Sequence, residues 1–325
     1  MPSGEGRWRP TAPLLSLTAR PSIQGWAVLI RNCFARPQVL LAVALLTQAC
    51  SARPGSASYR VVVVDDAGDS VLAPAPARRI VSLIPATTEL LFAIGAGNSL
   101  VGRTTWCDYP PEASRVPSLG DGINPNLEAI IASRPDLVIL YNSAQNAPAA
   151  ARLRKVGIAA LRINTDALSD VARVSQLLGR LTRHSRQADS LRTVFDTSLA
   201  SATPRAPGQR PKVLLLVWEQ PPMTIGRGSF LNELIERAGG QNLFPDVTAT
   251  AGTVSIEAVA VRDPDLILTT GTGPGAFARR PEWQVVRAVR ERRFLPVSGS
   301  EFDRPSPRAP EAIRHLAALL AESRQ

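Results

Sequence analysis

Glu128-Ala-Ile-Ile-Ala-Ser-Arg-Pro-Asp-Leu-Val-Ile-Leu140 decides the architecture, because its design returns 129 residues downstream as Glu257-Ala-Val-Ala-Val-Arg-Asp-Pro-Asp-Leu-Ile-Leu-Thr269. Each copy reads as a short helix that opens on a glutamate, stops at Pro135 or Pro264, and leads into an apolar strand. Proline cannot donate to the helix ladder, and it pushes the preceding residue out of the α region. The runs Leu137–Leu140 and Leu266–Leu268 lack the polar alternation of a half-wet strand. They suit parallel strands covered on both faces. One repetition at this spacing points to two similar lobes, since a solenoid needs shorter periods and more copies. The predicted fold class is therefore α/β, two similar lobes with mainly parallel sheets.

Working outward, residues 78–168 form the first predicted lobe. Arg79–Ile84 is a buried strand, and Pro85-Ala-Thr-Thr-Glu89 turns it into a helix with Thr87 as N-cap and Glu89 in the first turn. Gly95 and Gly97 end that helix, and Thr104–Pro111 is a loop. A helix around Ala149–Lys155 and a strand at Ala159–Ile163 complete the lobe. The second lobe, 204–325, begins alike with the strand Lys212–Val217. The loop Trp218–Met223, a capped helix at Ser229–Gly240, the second copy, the loop Gly271–Gly275, the strand Phe294–Val297, the loop Ser300–Pro305 and a last helix at Pro310–Glu322 follow. Between the lobes, 169–203 has no proline, and Val171, Val174, Leu177, Leu178, Leu181, Leu191 and Phe195 recur at helical spacing. That predicts one long rigid connecting helix of roughly 45 to 50 Å. Residues 51–77 read as a flexible tether and a hairpin, Tyr59–Val64 against Ser70–Leu72 around Asp65–Asp69.

The chain of 325 residues is long enough for two cored domains. Its net charge of +10 is inflated by five arginines in the first 50 residues. Beyond Cys50 the 32 basic and 26 acidic residues are interspersed, as on a solvated mixed surface, and no nucleic-acid motif appears. Residues 1–50 read as a leader: Arg31 and Arg36 precede the apolar run Val39–Leu46, too short to span a bilayer. Thr47-Gln48-Ala49-Cys50 resembles a bacterial lipoprotein cleavage site, which would make Cys50 the lipidated first residue and anchor the protein to a membrane. Plain secretion and an uncleaved anchor are the alternatives. The expected location is periplasmic or cell-surface. Cys107 then stands alone, which leaves no disulfide framework within the mature chain.

Ligands of open α/β sheets bind at the carboxyl ends of strands. The loops expected there carry Pro85 and Ala86, Trp106 and Asp108, Trp218, Glu219 and Gln220, and Phe302, Asp303 and Arg304. The aromatics supply apolar area and the polar residues orient a ligand. Catalysis finds little support. His184 sits on the connector and His315 on the last helix, both expected at the surface and away from the loops. Cys107 suits a small packed residue better than a nucleophile. The loops lack the histidines and carboxylates of a metal site. Gly271-Thr-Gly-Pro-Gly275 lacks a full phosphate-binding fingerprint. No enzyme activity, resident cofactor or metal is expected.

From Val61 onward the chain resembles the solute-binding proteins of ATP-driven importers for iron complexes and cobalamin, and most of all the cobalamin binders. The resemblance rests on Arg79–Gly97, Cys107-Asp-Tyr-Pro-Pro111, Asn126–Ile130 with Pro135–Val138, Pro221–Gly226 and Ser306-Pro-Arg308. It implies two α/β lobes joined by one long helix. It implies an ABC permease with its ATPase as partner, with Glu128 and Glu257 docking on permease arginines. It implies a monomer that captures a corrinoid edge-in between Trp106 and Trp218, with Asp121 joining the strand-end residues in the ligand site. Other aromatics of that family's cleft stand here as Gly120 and Ala251. Haem would want an axial Tyr, His or Met, for which Tyr109, Tyr141 and Met223 are the candidates. An anionic ferric siderophore would want clustered arginines such as Arg103 and Arg304.

Overall fold

The computed structural model describes residues 59–203, 210–270 and 273–323. The leader, Cys50, the tether 51–58 and two residues of the Gly271–Gly275 loop lie outside the described residues. The first lobe holds a parallel sheet of four strands in the order β4 (Leu100–Arg103), β3 (Ile80–Ser82), β5 (Leu137–Tyr141) and β6 (Ala159–Ile163). The second repeats that order with β9 (Gln241–Asn242), β7 (Lys212–Glu219), β11 (Leu266–Thr270) and β12 (Phe294–Val297), all parallel. It then adds β8 (Pro222–Ile225) and β10 (Ala251–Thr253) as an antiparallel extension.

The apolar runs behave as their lack of alternation requires. Leu137, Ile139, Leu266 and Leu268 point into one hydrophobic core, together with Ile80, Val213 and Leu215. Val138 and Leu140 enter a separate core on the outer face of the first sheet, and Leu214 and Ile267 do so on the second. The inner core is shared. It runs from the first lobe through helices α4 (Ser169–Thr182) and α5 (Ser185–Ala202) to the last helix, α9 (Ala309–Glu322). Lobes that bury apolar surface in common are not free to hinge apart, because separation would expose that surface at about 25 cal/mol per Å².

The single connecting helix is corrected to two. Helix α4 ends at Thr182, Arg183 takes a left-handed conformation at φ 62°, and α5 starts at Ser185. Gly179 lets the helices meet, since a Cβ there would stand 2.7 Å from the Cβ of Ala188. The apolar spacing runs across the break because Leu178, Leu181, Ala188 and Phe195 all face the shared core. Periodicity alone therefore reads the two as one. The connector proper, α5, has 18 residues, roughly 27 Å at 1.5 Å per residue.

The hairpin of β1 (Tyr59–Val64) and β2 (Ser70–Ala75) is fastened to the first lobe. Arg154 reaches Asp65 at 2.7 Å and Asp69 at 2.6 Å, Arg162 reaches Asp69 at 2.9 Å, and Arg173 reaches Asp66 at 2.9 Å. Thr87 is not the N-cap expected for α1 (Pro85–Ala93). Ile84 holds that place, and the Thr87 hydroxyl bonds the Ile84 carbonyl and Ser82 from inside the first turn. Pro85 at the first position already fixes the helical φ, so no side-chain cap is needed.

Candidate ligand-binding cleft

The repeated topology places equivalent parts of the lobes opposite one another. The start of α1 supplies Pro85 and Ala86, and the start of α6 (Phe230–Arg237) supplies Phe230 with its N-cap Ser229. The segment after β4 contributes Thr105, Trp106 and Asp108, and the one after β9 contributes Thr250. Thr165 and Asp166 follow β6, as Asp303 and Arg304 follow β12. Together they enclose a cavity of about 690 Å³ at the carboxyl ends of both sheets.

Six residues singled out from the sequence line this cavity: Pro85, Ala86, Trp106, Asp108, Asp303 and Arg304. Five do not. Phe302 is 4% exposed and packs in the shared core, its ring 5.7 Å from that of His315, because it ends a short turn that tucks under α9. Trp218, Glu219 and Gln220 belong to a β-hairpin rather than a strand-to-helix loop, since β7 runs on to Glu219 and returns as β8. The Trp218 indole is 61% exposed and donates to the Gln220 carbonyl at 2.7 Å, and is not among the cavity-lining residues. Glu219 accepts from the Phe277 N–H at 3.0 Å and lies 3.6 Å from Arg280, within its own lobe. Asp121 closes its own turn, accepting from Ile123 and Asn124 at 2.8 and 2.6 Å, and those bonds hold its carboxyl below the usual range. Gly120 sits at φ +123°, a conformation that an aromatic residue adopts only under strain.

Sequence reasoning missed Thr165, Asp166, Ser229, Phe230 and Thr250. The repeat held a signal for two of them, because Ser229–Phe230 opens the helix equivalent to the one that Pro85–Ala86 opens. Of the candidate haem ligands, Tyr141 donates to Asp166 at 2.6 Å, and burial and that bond raise its pKa. Tyr109 stacks under the Arg308 guanidinium at 3.9 Å. Neither tyrosine nor Met223 is among the residues that line the cavity.

The electrostatics turn on Arg304. Its side chain is 9% exposed and donates to Glu89 Oε1 at 2.6 Å, to the Trp106 carbonyl at 3.2 Å, and to Asp108. Arg308 holds the same glutamate at 2.8 and 3.1 Å and also reaches Glu301 at 3.1 Å. Glu89 is thus a buried acid of the first lobe clamped by two arginines of the second, not a solvated first-turn acid. Asp303 opens on the cleft, yet the atoms packed around it push its carboxyl up; Arg304 pulls it back, and Asp108 and Glu301 push it further.

Glu128 and Glu257 occupy equivalent exposed places. Glu128 lies in the first turn of α2 (Leu127–Ala132), capped by Asn126, and Glu257 in that of α7 (Ile256–Arg262), capped by Ser255. The Glu257 backbone N–H and the Ser255 hydroxyl hold the Glu257 carboxyl below the usual range.

Two α/β lobes that share a core and face each other across a lined cleft define a solute-binding protein. Residues 80–296 match the family described as periplasmic binding protein, and the chain belongs to that family. It is 31% identical over 266 residues to YvrC, an ABC transporter substrate-binding lipoprotein of Bacillus subtilis, covering 79% of this chain and 84% of that one. It is 28% identical to the vitamin B12-binding protein of Vibrio cholerae over 76% of this chain and 90% of the relative. Among solved structures, the haem-binding protein RhuT of Roseiflexus sp. RS-1 aligns with TM-score 0.69 at 25% identity, covering 77% of this chain and 100% of RhuT. The vitamin B12-binding protein BtuF of Vibrio cholerae aligns with TM-score 0.60 at 26% identity, covering 78% of this chain and 100% of BtuF.

Proposed function

We propose that this protein is the substrate-binding component of an ABC importer and carries a corrinoid in the cleft to its permease. The observation that carries the choice of ligand is the charge of the cavity wall. Arg304 is the one arginine among the described lining residues, and Glu89 and Asp108 engage it, while Asp108, Asp166 and Asp303 present carboxylates. Such a wall suits a neutral ligand rich in amide N–H donors, as cobalamin is. It is unfavourable to the carboxylates of haem or of an anionic ferric siderophore, since like charges in a shielded cleft repel. The described lining residues also include no His, Tyr, Met or Cys to ligate haem iron. Cobalamin brings its own axial base. The likeness to vitamin B12-binding proteins supports the same choice.

In this reading the protein is a monomer and a carrier, not an enzyme, and it holds no cofactor of its own. Glu128 and Glu257, one per lobe, dock on permease arginines and fix the orientation of delivery, and Cys50 carries a lipid anchor, as the likeness to a lipoprotein supports. Isothermal calorimetry decides the ligand: cyanocobalamin binds, and haem and ferric hydroxamates do not. Tight haem binding without cobalamin binding overturns the assignment. Docking has its own test. Charge reversal of Glu128 and Glu257 together should slow ligand uptake about tenfold or more while leaving calorimetric affinity unchanged; unimpaired uptake by the double variant removes the docking role.

A further inference from the structure

We infer that Glu89, which does not line the cavity, sets the charge of ligand that the cleft accepts by neutralising Arg304. The inference rests on the cavity being the ligand site. Glu89 sits in the second turn of α1 with its side chain 2% exposed, and its two oxygens take every hydrogen bond from guanidiniums of the other lobe. Arg304 lines the cavity, but one face of its guanidinium is turned to Glu89 and another to Asp108 and the Trp106 carbonyl. Arg308 stands behind it, tied to Glu89, Glu301, Ser300 and the ring of Tyr109.

Two cations therefore face three anions, Glu89, Asp108 and Glu301, and Asp303 adds a carboxyl beside them. The positive charge beside the cavity is fully countered, and Asp166, which also lines the cavity, adds a negative one. A buried charge acts over several ångströms with little screening. Replacing the Glu89 carboxylate with an amide removes one of the three anions, leaves Arg304 with Asp108 alone and Arg308 with Glu301 alone, and makes the same wall less repulsive to anions. The shape of the cavity need not change. Glu89 is in this sense a positioning residue: it touches no ligand and selects one through Arg304.

The test pairs a neutral ligand with an anionic one of nearly the same shape: cyanocobalamin and its tricarboxylate, made by hydrolysing three peripheral amides. Wild-type protein should favour the neutral corrinoid. Glu89→Gln should move the affinity ratio toward the tricarboxylate by about tenfold, the effect of one charge near 10 Å at an intermediate dielectric. Asp108→Asn removes the other counter-ion from an exposed position, and should move the ratio the same way even if Glu89→Gln folds poorly. Glu89→Asp should restore the neutral preference.

A second measurement needs no ligand. In a full chain carrying Trp8→Phe, Trp26→Phe and Trp218→Phe, Trp106 is the exposed indole, and Trp283 is buried. Quenching of Trp106 by iodide relative to neutral acrylamide should rise about twofold or more in Glu89→Gln and Asp108→Asn, because a less negative cleft concentrates the anion. If both corrinoids lose affinity equally and the iodide-to-acrylamide ratio stays at the wild-type value, Glu89 only joins the lobes and the inference fails. If the wild type binds neither corrinoid, the corrinoid assignment falls, and the quenching ratio still decides the role of Glu89.

Discussion

In the first lobe Asp136 accepts the N–H groups of Arg78 and Arg79 at 2.9 and 3.1 Å, and the Arg79 guanidinium returns to the carbonyls of Ser133 and Arg134 at the end of α2. In the second, Asp265 accepts the N–H of Lys212 at 2.8 Å, and the Lys212 ammonium returns to the carbonyl of Arg262 at the end of α7. The acid after each proline clamps the entry to the first strand of its sheet, and a base at that entry, Arg79 or Lys212, caps the helix before the proline. A repeat that looks like a helix stop is also a latch between two neighbouring strands. The copies differ in what backs the latch. Asp136 holds two backbone donors, whereas Asp265 holds one and adds an ion pair to Arg287 at 3.3 Å.

The largest effect tests whether the two copies serve one core. Leu137→Ala and Leu266→Ala each delete a side chain buried in the shared core, and each should cost about 2 to 5 kcal/mol. Both variants should melt in a single transition at a lowered Tm by calorimetry. A variant that splits the melt in two would show lobes that fold on separate cores, and the restraint on hinging would go with them.

That shared core was legible in part. The unbroken apolar runs announced strands covered on both faces, and the repeat announced twin sheets with the same strand order. The break at Arg183 was hidden, because both helices keep their apolar residues toward one core and no glycine or proline marks the turn itself. The site was read less well. Trp218-Glu219-Gln220 stands where the first lobe has a strand-to-helix loop, but two prolines follow and the chain folds back as β8, which carries these residues out of the cavity lining. Phe302 precedes two cavity residues, but it ends the short turn Ser300–Phe302 and packs into the shared core, which no local pattern announces. Glu89 looked like a helix-dipole acid because nothing local reveals partners more than 200 positions downstream.

The next effect separates the latches. Asp136→Ala removes two hydrogen bonds to backbone donors at an exposed place and should cost about 1 to 2 kcal/mol. Asp265→Ala should cost less, because it frees one N–H and an exposed ion pair of small worth. Urea unfolding midpoints of the two variants measure the difference. Equal midpoints would mean that Arg287 contributes as much to the second latch as a backbone donor does to the first.

The smallest effect belongs to the second copy alone. Arg262, the last residue of α7, donates to both carboxylate oxygens of Asp246 at 2.5 and 2.8 Å and lies 4.2 Å over the Phe244 ring. The corresponding residue of the first copy is Ser133, the C-cap of α2, which can form no such ion pair. Arg262 holds the Asp246 carboxyl down at about 2. A carboxyl depressed in the folded state stabilises above its unfolded pKa, near about 3.9, and that contribution fades as pH falls toward the folded value. Asp246→Asn should therefore lower the urea midpoint slightly at pH 7, and the gap from wild type should close between about pH 4 and pH 2. The pair is exposed, so salt should shrink the gap as well. A gap that persists unchanged into acid would assign the effect to the packing of Arg262 on Phe244, which the substitution disturbs without regard to charge.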